Sequence, residues 1–410
     1  MSSTEEVGAE SDRFAVFREA PFRWFAASRF FSGTALTLLG SAISWHLYAL
    51  SHSPGQLGFA GLVRFLPVLA LSLPAGAVAD TVERRRLIQF AQVAQLACSL
   101  SLFFVTRAGA ASLPILYAAV LLSAVAGVFE QPARASLLPQ LVSRANFQRA
   151  VPIMSTLIWF GFATGPMLTG FVTDRAGIAT TYALHSVLAI ASIASLSRLP
   201  VLASAANGAR VTLAAIAEGV RYVWNNPVVL GCMTLDMFAV ILGGATALLP
   251  VYAADILRVG PRGYGLLSSS LELGGLVMSL ALVFAPGFRR AGLALLWAVV
   301  AYGVATIAFG LSRSYPLSVA CYMMVGMADA VSVVLRGTAV QLSTPDELRG
   351  RVSSVNFIFI GASNNLGAAE SGYLAEFTSA TFAVVFGGVG VLAVAALVAW
   401  RLPALRKYLI

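Results

Sequence analysis

Charge is scarce in this 410-residue chain: Asp, Glu, Lys and Arg together make up 11% of it, where a soluble domain carries roughly a quarter. With 58% hydrophobic residues and a mean hydropathy of +0.82, no water-soluble fold could cover the apolar surface. Cysteine is nearly missing too. Cys98, Cys232 and Cys321 all fall in apolar runs without CxxC spacing, and only three histidines accompany them, which excludes a disulfide framework and a zinc site. No Walker loop, metal cluster or nucleophile constellation occurs, so ATP is not the expected energy source, and neither cofactor, metal nor enzymatic chemistry is expected. Met1 to Ala20 is polar, with no apolar core before a small-residue cleavage site, so the first span is expected to direct insertion itself.

What is present is a series of apolar runs, each near the roughly 20 residues that cross a bilayer as a helix. Twelve are expected. The first six run from about Pro21 to Leu50, Leu57 to Ala79, Leu87 to Thr106 and Leu113 to Ala133, then two more up to Arg198. The last six begin near Pro227, Tyr264, Leu293, Pro316, Val352 and Thr381. Between Pro200 and Pro227 the stretch VTLAAIAEGVRYVWNN has apolar residues at helical spacing, with Glu218 and Arg221 among them, and reads as an amphipathic helix at the membrane surface.

A net charge of +9 would point a soluble protein toward nucleic acid, but here the placement of charge matters more than its sum. Lys407 is the only lysine; the rest is arginine. Of the 27 Lys and Arg, 20 fall on the side of the N-terminus and 5 on the other, while Arg29 and Arg64 lie inside apolar runs. That asymmetry is the positive-inside pattern and puts both termini in the cytoplasm.

The chain also repeats itself. Arg134 and Arg336, Arg149 and Arg351, Gly165 and Gly367, and Gly170 and Gly372 are each 202 positions apart. Two copies of one six-span unit are expected: residues 1–200, a cytoplasmic linker 201–226, and residues 227–410. With six spans per copy the halves share one orientation, and in transporters built from parallel repeats the substrate lies near the midplane between them.

At this point the chain resembles the major facilitator superfamily along essentially its whole length. GAVADTVERRR is similar to that superfamily's signature loop between spans 2 and 3, with Gly76, Asp80, Arg84 and Arg85 matching, Thr81 standing where a basic residue is usual and Glu83 where Gly is usual. Gly161, Gly165, Pro166 and Gly170 in span 5 resemble the antiporter motif of its drug exporters, with Thr169 in the place of a usual Gly. Close helix packing accounts for this stretch equally well. SLLPQLVSRANFQRA, ADAVSVVLRGTAVQLSTPDELRGRV and SNNLGAAESG are similar to an enterobactin-exporter-like and macrolide-efflux-like bacterial branch. The resemblance implies an all-α membrane protein of two pseudo-symmetric six-helix bundles that exports a small organic molecule, a siderophore or hydrophobic drug, by proton antiport across the bacterial cytoplasmic membrane.

Ionisable groups within spans cost roughly 2.5 to 3.5 kcal/mol each at the helix centre, so they are expected to face a cavity or a partner. Asp236 in span 7, Asp329 in span 10 and Glu272 in span 8 are the candidate proton carriers, in that order; the other reading is a carboxyl bonded to a neighbouring helix. Arg29, Arg64, Glu130 and Trp159 are the candidate substrate contacts, Arg29 and Arg64 either attracting an anion or pairing with Glu130, and Arg64 alternatively snorkelling to the interface. Gly76, Asp80, Arg84, Arg134, Arg336 and Arg351 lie where spans meet the cytoplasm, as gate residues or as plain topology signals. His46 and His185 read as packing residues, and Glu370 as an outer-gate candidate. The expected partners are a small-molecule substrate, the proton and the lipid bilayer, with no nucleic acid, the protein being a monomer. An uncoupled facilitator or lipid flippase, or a non-transporting membrane sensor, would carry the same fold.

Overall fold

The computed structural model describes residues 15–135, 137–200, 213–285 and 288–409, and these are helical nearly throughout, with no strand among them. The polar leader expected over Met1 to Ala20 and the linker expected over 201–226 therefore lie partly outside the described residues, at 1–14 and 201–212. Twelve long helices follow one another: α1 (Ala20–Ser51), α2 (Pro54–Thr81), α3 (Arg84–Arg107), α4 (Leu113–Ala135), α5 (144–176), α6 (178–197), α7 (Pro227–Leu242), α8 (Gly260–Phe284), α9 (Ala291–Leu311), α10 (Tyr315–Leu342), α11 (Arg349–Phe377) and α12 (Ala380–Arg401). Helices α5 and α6 run on without a loop, but Gly177 leaves helical geometry at φ 80 and ψ 163 and divides them. A left-handed φ of this kind is open to glycine at little cost. The linker helix, Leu213–Asn225, precedes α7.

Local chemistry sets the helix starts. Ser53 caps α2, accepting from the Gln56 N–H, with Pro54 next; Asn226 caps α7, accepting from the Val228 and Val229 N–H groups, with Pro227 next. Nine segments among the described residues are long and apolar enough to cross a membrane, and the one spanning Arg149–Ser197 takes in α6 and most of α5. The remaining two long helices, α1 and α11, are outside that set, and both carry polar groups along their length, Arg23, Arg29 and His46 in one and Asn356, Asn364, Asn365 and Glu370 in the other. Large side chains such as Phe104, Phe284, Trp297 and Leu311 are left exposed, as expected where the solvent is lipid.

The seventh apolar run is one candidate span, Pro227–Ile256, but its helix is interrupted: α7 stops at Leu242, and Gly243 and Gly244 lead into short turns at Ala245–Leu248, Leu249–Val251 and Tyr252–Ile256. The Gly pair lets the chain press against α11: a Cβ on Gly244 would lie 2.9 Å from the Gly367 carbonyl oxygen. Hydropathy is blind to such a break because the residues on both sides are apolar.

Within the first half α1 packs on α5 and α6, α3 on α4 and α6, and α2 on α4; within the second, α9 packs on α10 and α12, and α8 on α10. Two seams join the halves, α2 against α11 and α5 against α8. The seams are tightest on the face away from the chain ends, the far face. There a Cβ on Gly170 would lie 2.8 Å from Gly265 Cα, and one on Gly58 3.1 Å from Gly372 Cα. The buried core follows the same division. One cluster on the far side, including Leu47, Tyr48, Leu57, Tyr252, Tyr264, Phe309 and Tyr322, belongs to both halves. On the near side, which bears the chain ends, the core forks: Phe22, Phe25, Leu87 and Leu141 cluster within the first half, while Cys232, Leu295, Leu335 and Leu405 cluster within the second.

Candidate functional site

Inside the fork lie two adjoining cavities. One, of about 300 Å³, sits between the halves and is lined by Ser44, Leu57 and Arg64 of the first half and by Gly244, Thr246, Tyr302 and Asp329 of the second. The other, of about 500 Å³, runs from there toward the near face between α1, α2, α3 and α4, past Gln95, Ser123, Gly127 and Gln131. Arg64, Asn364 and Asn365 line both and so stand at the junction. The amide groups of Asn364 and Asn365 donate back to the Ile360 and Gly361 carbonyls at 2.9 and 2.8 Å, which leaves their side-chain carbonyl oxygens as acceptors.

Arg64 has no hydrogen-bond or ion-pair partner among the described residues, and it neither meets Glu130 nor snorkels outward; it lines the cavities near Tyr264. Asp329, across the smaller cavity, likewise has no such partner, and Glu272 lies within electrostatic reach of it. Asp236, the first choice from sequence for carrying a proton, is held differently. Its carboxylate accepts from the buried Arg336 guanidinium of α10, so a candidate carrier and a candidate gate residue form one ion pair. The three carboxylates still form one group in the second half, since Asp329 is in electrostatic reach of both Asp236 and Arg336.

The first half has the opposite balance. Glu130 accepts from Arg134 on its own helix, at 2.7 Å from Nε, and from Gln92 and Gln95 of α3 at 3.2 and 3.4 Å. Arg29 lies in electrostatic reach of both Arg134 and Glu130. Thus Arg29 and Arg134 gather about Glu130 in the first half, while Asp236 and Asp329 gather about Arg336 in the second.

The other sequence candidates scatter. Trp159 lies half-buried in the α5–α8 seam against Gly275. Gly161 and Gly165 fit against α1, where Cβ atoms would come within 3.2 Å of the Phe30 carbonyl and 2.6 Å of the Thr34 carbonyl, while Gly170 fits against α8. Pro166 belongs to the same seam, its carbonyl facing Gly265. Thr169, in the place of a usual Gly, bonds the Ser41 hydroxyl at 2.9 Å and the Leu38 carbonyl at 3.0 Å, tying α5 to α1. Arg351 meets Glu218 of the linker helix at 2.5 Å, and no ion pair with a first-half group is found for it among the described residues. Arg84 opens α3; Gly76 lies in α2, where a Cβ would meet nothing within 4 Å; Asp80 also lies in α2, and its side chain is outside what is described. His46 bonds the Tyr182 hydroxyl at 2.9 Å, and His185 is fully buried. Glu370 bonds its neighbour Ser371 at 3.2 Å.

Sequence reasoning passed over Gln95, Gln131, Thr246, Tyr302 and the Asn364–Asn365 pair as site residues. Only the Asn pair carried a signal, two amides side by side in an apolar run, since the others are common in helices.

Two six-helix bodies around a polar hollow are the build of a multi-pass membrane transporter. A family model described as transmembrane secretion effector matches residues 11–408, and the chain belongs to this family of the major facilitator superfamily. It is 26% identical over 390 residues to the enterobactin exporter EntS of Escherichia coli O1:K1 and to that of Escherichia fergusonii, covering 94% of this chain and 93% of each relative. Its fold is similar to that of the nucleoside transporter NupG, with a TM-score of 0.70, 13% identity and coverage of 95% of this chain and 98% of the other. It is similar as well to a POT family transporter in complex with a thioalcohol-conjugated peptide, with a TM-score of 0.73, 10% identity and coverage of 94% and 96%.

Proposed function

We propose that this transporter is a proton-coupled exporter of a small organic molecule, a siderophore or hydrophobic drug, that works as a monomer by alternating access in the bacterial cytoplasmic membrane with both termini in the cytoplasm. The observation that carries the reading is the placement of Arg64 and Asp329 on opposite halves of one cavity, both without a hydrogen-bond or ion-pair partner among the described residues. An unpaired guanidinium in a largely apolar hollow attracts anionic cargo, and an unpaired carboxyl facing it can take up a proton. Asp329 therefore replaces Asp236 as the first choice for coupling, with Glu272 its near neighbour. The excess of Lys and Arg on the near side supports a cytoplasmic near face, and on that reading the forked core is the loading side of an export cycle. The named activity of the enterobactin exporters supports the direction and the cargo class.

Proteoliposomes with an imposed pH gradient test the reading, with enterobactin and a macrolide as probes. Uphill movement of either probe should appear only with the gradient and should vanish in Asp329→Asn. Equal transport with and without the gradient would leave a facilitator or flippase, and no probe movement with intact binding would leave a sensor.

A further inference from the structure

Two carboxylates of the second half fasten the far face. Glu376, in the last turn of α11, accepts 2.8 Å hydrogen bonds from the Ser53 hydroxyl and from the Gly55 N–H. Ser53 is the N-cap of α2 and Gly55 lies in its first turn, so the carboxylate of one half rests on the positive end of a helix of the other. Asp255, in the turn beyond α7, accepts from the Tyr48 hydroxyl near the end of α1. Both contacts grip the short α1–α2 turn. Both also cross between the halves, so neither is needed to build either bundle. Around Glu376 lies a hollow of about 390 Å³ bordered by Gln56, Tyr117 and Tyr373, through which water can reach the bonds and replace them.

We infer that Glu376 and Asp255 are the latch of the far gate: they hold that face shut by gripping the α1–α2 turn and must release it before the cavity can open there. Ser44 and Arg64 lie on the two helices joined by that turn, so release frees two walls of the cavity together. The inference goes beyond the proposed cargo and coupling and rests only on alternating access.

A test uses the full-length protein in vesicles, with Cys98, Cys232 and Cys321 replaced by Ala and Ser44→Cys as reporter on the cavity wall. A membrane-impermeant maleimide is added from each side in turn. Losing two bonds to a charged acceptor in a partly solvated place should raise far-side labelling about threefold or more in Glu376→Ala, and lower near-side labelling correspondingly. Asp255→Asn should act in the same direction, and the double variant should exceed either. Glu376→Gln keeps an acceptor but not the charge and should fall between, and it carries the test if Glu376→Ala does not reach the membrane. Unchanged labelling from both sides, or lowered thermal stability with the ratio of the two sides unmoved, would overturn the latch. Absence of far-side labelling in every protein, the parent with Glu376 and Asp255 included, would instead overturn alternating access itself.

Discussion

Asp236 and Arg336, 100 positions apart, form a buried ion pair that fastens α7 to α10 inside the second half. Removing one member leaves the other charge buried and unpaired, which costs about 3 to 5 kcal/mol. Asp236→Asn should therefore lower thermal stability in detergent, read by size-exclusion chromatography after heating, and Asp236→Asn with Arg336→Gln should recover part of the loss. Asp329→Asn should leave stability nearly unchanged while abolishing gradient-driven transport. The reverse pattern would return the coupling role to Asp236.

Arg64 should decide between anionic and neutral cargo. A hydrogen bond to a charged group contributes about 1.5 to 3 kcal/mol, so Arg64→Ala should weaken binding of an anionic probe by roughly tenfold or more, measured by calorimetry, and a neutral probe far less. Lysine keeps the charge but not the planar fork and should restore binding in part. Equal loss for both probes would reduce Arg64 to a packing role.

Gly76 is a test of the opposite state. A Cβ there meets nothing within 4 Å among the described residues, so Gly76→Ala should leave the thermal transition in place. If the near face closes over this turn of α2 during the cycle, the same variant should slow transport several-fold. Unaltered transport would show that the signature-loop glycine never packs closely in any state.

Glu218, exposed, and Arg351, half-exposed, join the linker helix to α11. An exposed pair contributes about 0.2 to 1 kcal/mol and is screened by salt. Arg351→Ala should therefore change stability by less than about 1 kcal/mol, and raising the salt concentration should erase the difference. A larger loss would mark Arg351 as a structural anchor.

Glu19 begins α1 and accepts from Asn146 at 2.6 Å and from the Ser143 hydroxyl at 2.9 Å, and the Asn146 bond holds its carboxyl below the usual carboxylate range. Its folded-state pKa is depressed, so its contribution is complete above the unfolded value of about 4.3 and is lost as pH falls through the lower folded value. Hydrogen exchange at residues 143–146 should accelerate below roughly pH 4, and Glu19→Gln should remove that step.

The twelve helices could be read from the sequence because a bilayer demands long apolar runs, and because Ser53, Pro54, Asn226 and Pro227 mark helix starts by short-range chemistry. The break at Gly243 and Gly244 was hidden, since a turn packed among apolar neighbours has the hydropathy of a span. The carboxylates in spans were equally visible, but visibility did not sort them: that Asp236 faces Arg336 while Asp329 faces a hollow depends on the rotation of α7 and α10 about their axes. Glu376 was hardest to see, because a carboxylate at the end of a helix looks like any surface acid until the neighbouring half supplies its donors.

The forked core has a bearing on how work is divided in the cycle. If the near side is the loading side, as proposed, a core already divided there needs little effort to take cargo in, whereas parting the far side means pulling apart Tyr48, Leu57, Tyr252, Tyr264 and their neighbours as one apolar mass. In the proposed export cycle the demanding stroke is thus the delivery stroke, and the driving force is spent where the cargo leaves.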